Sequence, residues 1–256
     1  MNRLGKAFSS GKAFIPFITG GDPDLETTEK LLYALYEAGA DAIEIGIPFS
    51  DPIAEGPVIE AASERALKAG CTVEMLFDLV ARVRADIQAP LLFMTYYNPI
   101  FAYGVDKFTK KCAECGLDGL IVPDLPFEER DELFGSCEMC MLELISLVAP
   151  TSEERISRIA QNSSGFLYCV SSLGVTGVRS KLDSSAQFIV EQAKRAADFP
   201  CAVGFGISTP EQAREIVGFA DGVIIGSAIV RIIAEHGRNC VKPVSQFAQE
   251  IKRAIS

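Results

Sequence analysis

The sequence predicts an α/β fold, a single (β/α)8 barrel over residues 1–256, and three observations carry that prediction. Short apolar, β-branched runs recur eight times, segments patterned as helix lie between them, and 256 residues is a length at which such a barrel closes as one unit. Strands apolar on both faces call for a parallel sheet covered by helices. Eight repeats favour a closed barrel over an open doubly wound sheet.

Taken in order, Phe14–Thr19 is the first strand, ending at Gly20-Gly21-Asp22, and Leu25–Ala38 is its helix. Ala42–Ile47 is the second strand, and the next apolar run begins 49 residues after its start. The helix pattern Val73–Asp86 falls inside that interval, ahead of a third strand at Leu91–Tyr96. Gln88–Val105 carries no charged side chain, but Pro90, Asn98, Pro99 and Gly104 mark it as a buried strand and its loop rather than a membrane span. A helix over Asp106–Cys115 leads to strands at Gly119–Val122 and Leu144–Val148. Thr151-Ser152-Glu153-Glu154 places a hydroxyl before acidic residues, which suits a helix start and predicts a helix over Ser152–Gln161. The sixth strand, Phe166–Val170, is followed by a 36-residue interval to the next, with Ser184 as the cap of a helix over Ser184–Ala197. Ala202–Phe205 is the seventh strand. Ser208-Thr209-Pro210 then opens a helix over Pro210–Phe219 with proline at its first position. The eighth strand, Gly222–Ile225, runs through Gly226-Ser227 into the helical Ala228–Ile233. No linker or composition break divides the chain. The extended βα loops after strands 2 and 6 are where barrel chemistry is expected.

Composition narrows the function. With 24 Lys and Arg against 34 Asp and Glu, the net charge is −10, which disfavours nucleic acid as a partner. The basic residues before Ala13 precede too short an apolar run for a secretion signal, and a cytoplasmic protein is expected. Cys112-x-x-Cys115 and Cys137-x-x-Cys140 have a spacing that zinc ribbons use, but both pairs lie in helix-patterned stretches without knuckle glycines. Buried structural thiols are the expectation, and no metal.

Three groups of residues could do chemistry. Glu44 stands inside the apolar Ala42–Ile47 run, where a carboxylate is excluded unless it is held for function, and burial there would raise its pKa toward acid–base use. A buried carboxylate paired with Lys or Arg is the plainer alternative, and no basic residue lies between Asp41 and Ala62 to make that pair locally. The proline-stiffened loop Pro48–Pro57 carries Asp51 and Glu55. Gly204–Ser208 and Gly226-Ser227 form glycine-rich exits from strands 7 and 8, where barrels frequently bind phosphate. The lone His236 leaves no histidine triad, and no lysine falls in or at the end of a predicted strand to form a Schiff base. What remains is carboxylate acid–base chemistry on a phosphorylated substrate.

Ala42-Ile-Glu-Ile-Gly-Ile-Pro-Phe-Ser-Asp-Pro-Ile-Ala-Glu-Gly-Pro57 closely resembles the signature of the tryptophan synthase α subunit family. The likeness extends through Phe17–Pro23, Tyr96–Phe101, Val122–Pro126, Gly174–Gly177, Gly204–Ser208 and Gly226–Ile232. It implies a lyase of tryptophan biosynthesis that cleaves indole-3-glycerol phosphate to indole and D-glyceraldehyde 3-phosphate. It also implies no cofactor in this chain, with indole passed to a pyridoxal-phosphate-dependent β subunit in an α2β2 heterotetramer. On matching positions, Glu44 corresponds to the acid–base carboxylate and Glu55 to the second carboxylate, which contacts the indole N–H and is Asp in many members. Phe17, Met94, Ile121, Tyr168 and Phe205 resemble the indole pocket. Gly177, Gly206, Gly226 and Ser227 match phosphate-binding positions, and Thr176 resembles the residue that closes over the substrate. Ser172 stands where many relatives have Arg, and Pro48, Asp51, Asn98 and Asp124 lie where the family meets its partner.

Overall fold

The computed structural model describes residues 3–9, 11–152, 155–170, 184–204 and 206–256. Eight parallel strands close into a barrel in sequence order: β1 Ala13–Thr19, β2 Ile43–Gly46, β3 Leu91–Met94, β4 Gly119–Ile121, β5 Glu143–Val148, β6 Leu167–Val170, β7 Cys201–Gly204 and β8 Gly222–Ile225. The ring closes where Ala13 pairs with Gly222 and Phe14 with Val223.

Strand alternation sorts the side chains into two cores. Ile15, Ala42, Leu92, Ile121, Ile145, Tyr168, Ala202 and Ile224 point inward and fill the barrel. Their neighbours Phe14, Ile43, Ile45, Phe93, Leu120 and Val203 face outward and pack under the helices. Aspartates in the turns that enter the strands tie adjacent strands together. Asp41 accepts the Phe14 N–H at 2.7 Å, Asp118 the Leu91 N–H at 2.9 Å and Asp221 the Cys201 N–H at 2.9 Å. Such side chain to backbone bonds satisfy amides that the ladder leaves over.

The elements differ from expectation in two places. The interval after β2 is mostly helical, with helices Pro57–Lys68 and Val73–Val83, so the loop proper is residues 47–56. The helix expected over Ser152–Gln161 begins at Ile156, because the Ser152 hydroxyl accepts the Ala149 N–H at 3.2 Å and closes a short turn instead of capping a helix. Glu153 and Glu154 of that start, and residues 171–183 of the interval after β6, lie outside the described residues. Short helices at Arg3–Ala7 and Tyr97–Tyr103, and longer ones at Asp131–Met139 and Val241–Ile255, complete the covering. Thr209 caps Pro210–Val217 as expected, accepting the Gln212 N–H. A third expected helix starts at Ser184, whose side chain, and with it the capping assignment, is outside the described residues. Among the described residues no helix is long and apolar enough to cross a membrane.

Candidate active site

A cavity of about 490 Å³ opens at the carboxyl ends of the strands, and Phe17, Glu44, Glu55, Met94, Tyr168, Gly206, Gly226 and Ser227 all contribute to its wall. Residues far apart in sequence meet there because each lies in the upper part of a strand, in the loop that follows one or at the start of the next helix. Thr176, Gly177 and Phe205, expected at the same site, lie outside the described residues, as does Ser172. Ile121 is wholly buried in the interior cluster, in register with Met94 and Ile145, both of which line the cavity.

Glu44 occupies the inward position of β2 two residues beyond Ala42, flanked in register by Phe17 and Leu92. Its side chain is fully buried, and neither carboxyl oxygen has a hydrogen-bond partner among the described residues. Burial without a compensating charge pushes its pKa well above the ordinary carboxyl value. The ion-paired alternative is therefore absent among the described residues. Burial and the nearby Glu44 also push the Tyr168 phenol upward.

Room for Phe17 is made by small neighbours. A Cβ on Gly46 would sit 2.6 Å from the Phe17 ring, and one on Gly226 would sit 3.2 Å from it, so larger residues at either position would drive the ring into the cavity. Gly226 then ends β8 and Ser227 starts the helix Ser227–His236, whose free N-terminal amides face the cavity mouth.

Glu55 enters from the loop over residues 47–56. The Tyr96 hydroxyl oxygen accepts two consecutive backbone N–H groups of this loop, Ile53 at 3.1 Å and Ala54 at 2.9 Å, and the Phe49 ring packs against it at 5.3 Å. Beyond Glu55, Pro57 begins the next helix, and Arg65 on that helix makes a two-pronged bond of 2.8 Å on each arm to Asp22, fully buried after β1. Glu55 is thus held between two anchorages. Burial, aided by the like charge of Glu60, pushes its pKa up to about 7. Neither Tyr96 nor the Asp22–Arg65 clamp was singled out from the sequence; a tyrosine at a strand end and an arginine mid-helix carry no local mark of what they will reach.

The remaining expected residues form the rim. Asp51 and Asn98 are exposed, Asp51 bonding Ser50, while Pro48 is buried at the exit of β2. Asp124 lines the cavity and accepts the Tyr97 N–H at 2.9 Å. Ile53 and Phe101 are large apolar side chains left 78% and 69% exposed on the same end of the barrel. The eight cysteines are free thiols, Cys112, Cys115 and Cys137 buried and Cys140 half-buried. Among the described residues no three His, Cys, Asp or Glu side chains cluster as a metal site would require.

A family model described as tryptophan synthase alpha chain matches residues 6–256. The tryptophan synthase alpha chain of Lacticaseibacillus casei is 46% identical over all of this chain and 96% of its own length. That of Halalkalibacterium halodurans is 50% identical over 92% of this chain and 89% of its own. Among solved structures, tryptophan synthase subunit alpha from Legionella pneumophila superposes with a TM-score of 0.91 at 38% identity, covering 100% of this chain and 98% of that one. A structure of the tryptophan synthase a2b2 complex of Pyrococcus furiosus gives 0.88 at 37% identity, covering 95% and 99%. Fold, site and comparisons converge, and the chain belongs to the tryptophan synthase alpha chain family.

Proposed function

We propose that Glu44 is the proton-transferring group and Glu55 the charge-stabilising partner of the family's lyase reaction in this chain, working within one barrel domain over residues 1–256. The reaction itself is the family's: indole-3-glycerol phosphate is cleaved to indole and glyceraldehyde 3-phosphate, and indole passes to the β subunit, which holds the pyridoxal phosphate. The α chain needs no cofactor of its own for this chemistry.

The observation that carries the assignment is a wholly buried carboxyl with no partner among the described residues, set in the wall of the cavity. Held toward its protonated form by burial, Glu44 can deliver its proton to indole C3. The glycerol hydroxyl next to the ring then loses its proton to the Glu44 carboxylate while the carbon–carbon bond breaks. The bond pair returns to the ring, the carbinol becomes the aldehyde, and Glu44 ends as it began. Positive charge that develops on the indole nitrogen is met by Glu55 once ionised, which requires its pKa to lie near, rather than far above, working pH. Phe17, Met94, Ile121, Tyr168 and Phe205 form the indole pocket and exclude water from the protonated ring, with Thr176 closing over the substrate. Gly206, Gly226 and Ser227, with Gly177, hold the phosphate.

Pro48, Asp51, Asn98 and Asp124 are assigned to the face that meets the β subunit. Two exposed apolar side chains on the same end, Ile53 and Phe101, support that assignment. Free thiols at all eight cysteines support a reducing, cytoplasmic setting.

The test is indole release from indole-3-glycerol phosphate by the purified chain, alone and with added β subunit, beside Glu44→Gln. Release that rises with the partner and is lost in the folded variant is the expected result. Undiminished release from Glu44→Gln removes the assignment.

A further inference from the structure

We infer that Arg231 is a further phosphate-binding residue for the substrate, a role that rests on the reading of Gly226 and Ser227 as the phosphate end of the cavity. Arg231 follows Ser227 by four residues on the helix Ser227–His236, and both line the cavity. Residues four apart share one helical face, about 6 Å apart along the axis, and helical side chains lean toward the N-terminus. From this position a guanidinium is within reach of the free amides at Ser227, the phosphate end of the cavity.

Among the described residues the other arginines in the cavity wall are engaged. Arg130 donates to Ser146 Oγ at 3.0 Å and to the Asn162 carbonyl at 2.7 Å, with the Phe127 and Phe134 rings 4.1 and 4.6 Å away. Arg155 pairs with Glu128 at 2.9 Å. Arg231 makes no hydrogen bond or ion pair with any described residue, and its side chain is exposed. The same cavity carries Glu44, Glu55 and Asp124 in a chain of net charge −10, a poor setting for a dianion unless a cation stands beside it. A helix terminus supplies only about half a charge, which leaves a guanidinium to complete the neutralisation.

Steady-state cleavage by the full chain tests this with two substrates, indole-3-glycerol phosphate and its dephosphorylated form indole-3-glycerol, and with inorganic phosphate as competitor. Arg231→Gln is expected to raise KM for the phosphorylated substrate about tenfold, as loss of one charge-assisted contact should, and to weaken inhibition by phosphate in proportion. The dephosphorylated substrate, which offers Arg231 nothing to bind, is expected to be turned over alike by wild type and variant. Arg231→Lys should recover part of the loss, and the gap should narrow as salt is raised. An unchanged KM in Arg231→Gln, or an equal loss on both substrates, overturns the inference. If wild type and Ser227→Ala fail to distinguish the two substrates, the phosphate end itself has been misplaced, which is a separate outcome.

Discussion

Glu44 and Glu55 are both carboxyls that resist ionisation, yet they come to that state by different routes. Glu44 is fixed on a strand paired on both sides, and its proton affinity comes from the barrel core around it. Glu55 rides a loop, and its proton affinity comes from a conformation that Tyr96 and the Arg65–Asp22 pair maintain. The first is a property of the folded barrel and persists as long as the barrel does. The second is a property of one loop position, and any event that moves the loop resets it. The proposed roles would gain from this division, because a proton donor at Glu44 stays poised while a charge stabiliser at Glu55 can be brought in or withdrawn.

The largest expected effect comes from breaking the strand side of the comparison. Glu44→Gln should lower kcat by about 10²- to 10⁴-fold, the usual worth of a positioned proton donor, with circular dichroism unchanged. It also carries a stability signature. The folded pKa is raised, so above the ordinary carboxyl value the unfolded state releases a proton that the folded state keeps. Wild-type stability should fall as pH rises through this range toward the folded pKa, by at most about 1.4 kcal/mol per pH unit from this group. Denaturant melts of Glu44→Gln should lose the share of that slope due to Glu44 and keep the share that Glu55, also raised, contributes up to about pH 7. A slope undiminished in the variant would mean that Glu44 is not a group held protonated.

Breaking the loop side should cost less. Glu55→Gln is expected to lower kcat/KM by about a hundredfold, as removal of one preorganised charge does, and to remove only the Glu55 share of the stability slope, below about pH 7, leaving that of Glu44. Tyr96→Phe leaves Glu55 in place but deprives the Ile53 and Ala54 amides of their acceptor. At about 1 kcal/mol net for such a bond, kcat/KM should fall roughly fivefold to tenfold. If Tyr96→Phe matched Glu55→Gln in full, the loop would be doing more than carrying the carboxylate.

The same division explains what could be read from the residues alone. The eight strands were legible because apolar runs bounded by Gly, Pro and Asp admit few other readings, and Glu44 was legible because a charge inside such a run is out of place. Strand alternation then put it inward without further information. The helix Pro57–Lys68 was missed because its face is half polar and it follows a proline-rich loop, so the interval after β2 showed only the helix at Val73–Asp86. Ser152 misled because a hydroxyl before acidic residues serves a turn as readily as a helix, and here it bonds the Ala149 amide. The anchors of Glu55 were illegible for another reason. Tyr96 lies 42 residues from Ala54, and Arg65 lies 43 from Asp22, so only the closed barrel brings either pair together. Arg231 had a local clue in its four-residue spacing from Ser227, which gains meaning once Ser227 is seen to open a helix at the cavity.

The smallest expected effect sharpens the comparison most, because it should touch one carboxyl and spare the other. Glu60 stands in the first turns of the helix that follows Glu55, and its like charge adds to burial in holding the Glu55 pKa near 7. In Glu60→Gln that repulsion is gone, the ionised form of Glu55 becomes easier to reach, and its pKa should move down toward the ordinary carboxyl value. Because Glu55 acts as a carboxylate, kcat/KM should rise with pH through the Glu55 pKa, and this rise should shift to lower pH in the variant. The shift should be under about one pH unit, since charges on a partly solvated loop interact by on the order of 1 kcal/mol. Tyr96, Asp124 and Glu44 also border this part of the cavity, and none of them is altered by the substitution. The part of the stability slope that Glu44→Gln removes should therefore be the same in a Glu60→Gln background as in wild type. A rise that stays where it was would show that burial alone sets the Glu55 pKa. A slope that moved with it would show that the two carboxyls titrate as one coupled pair, and that the strand and the loop are not independent after all.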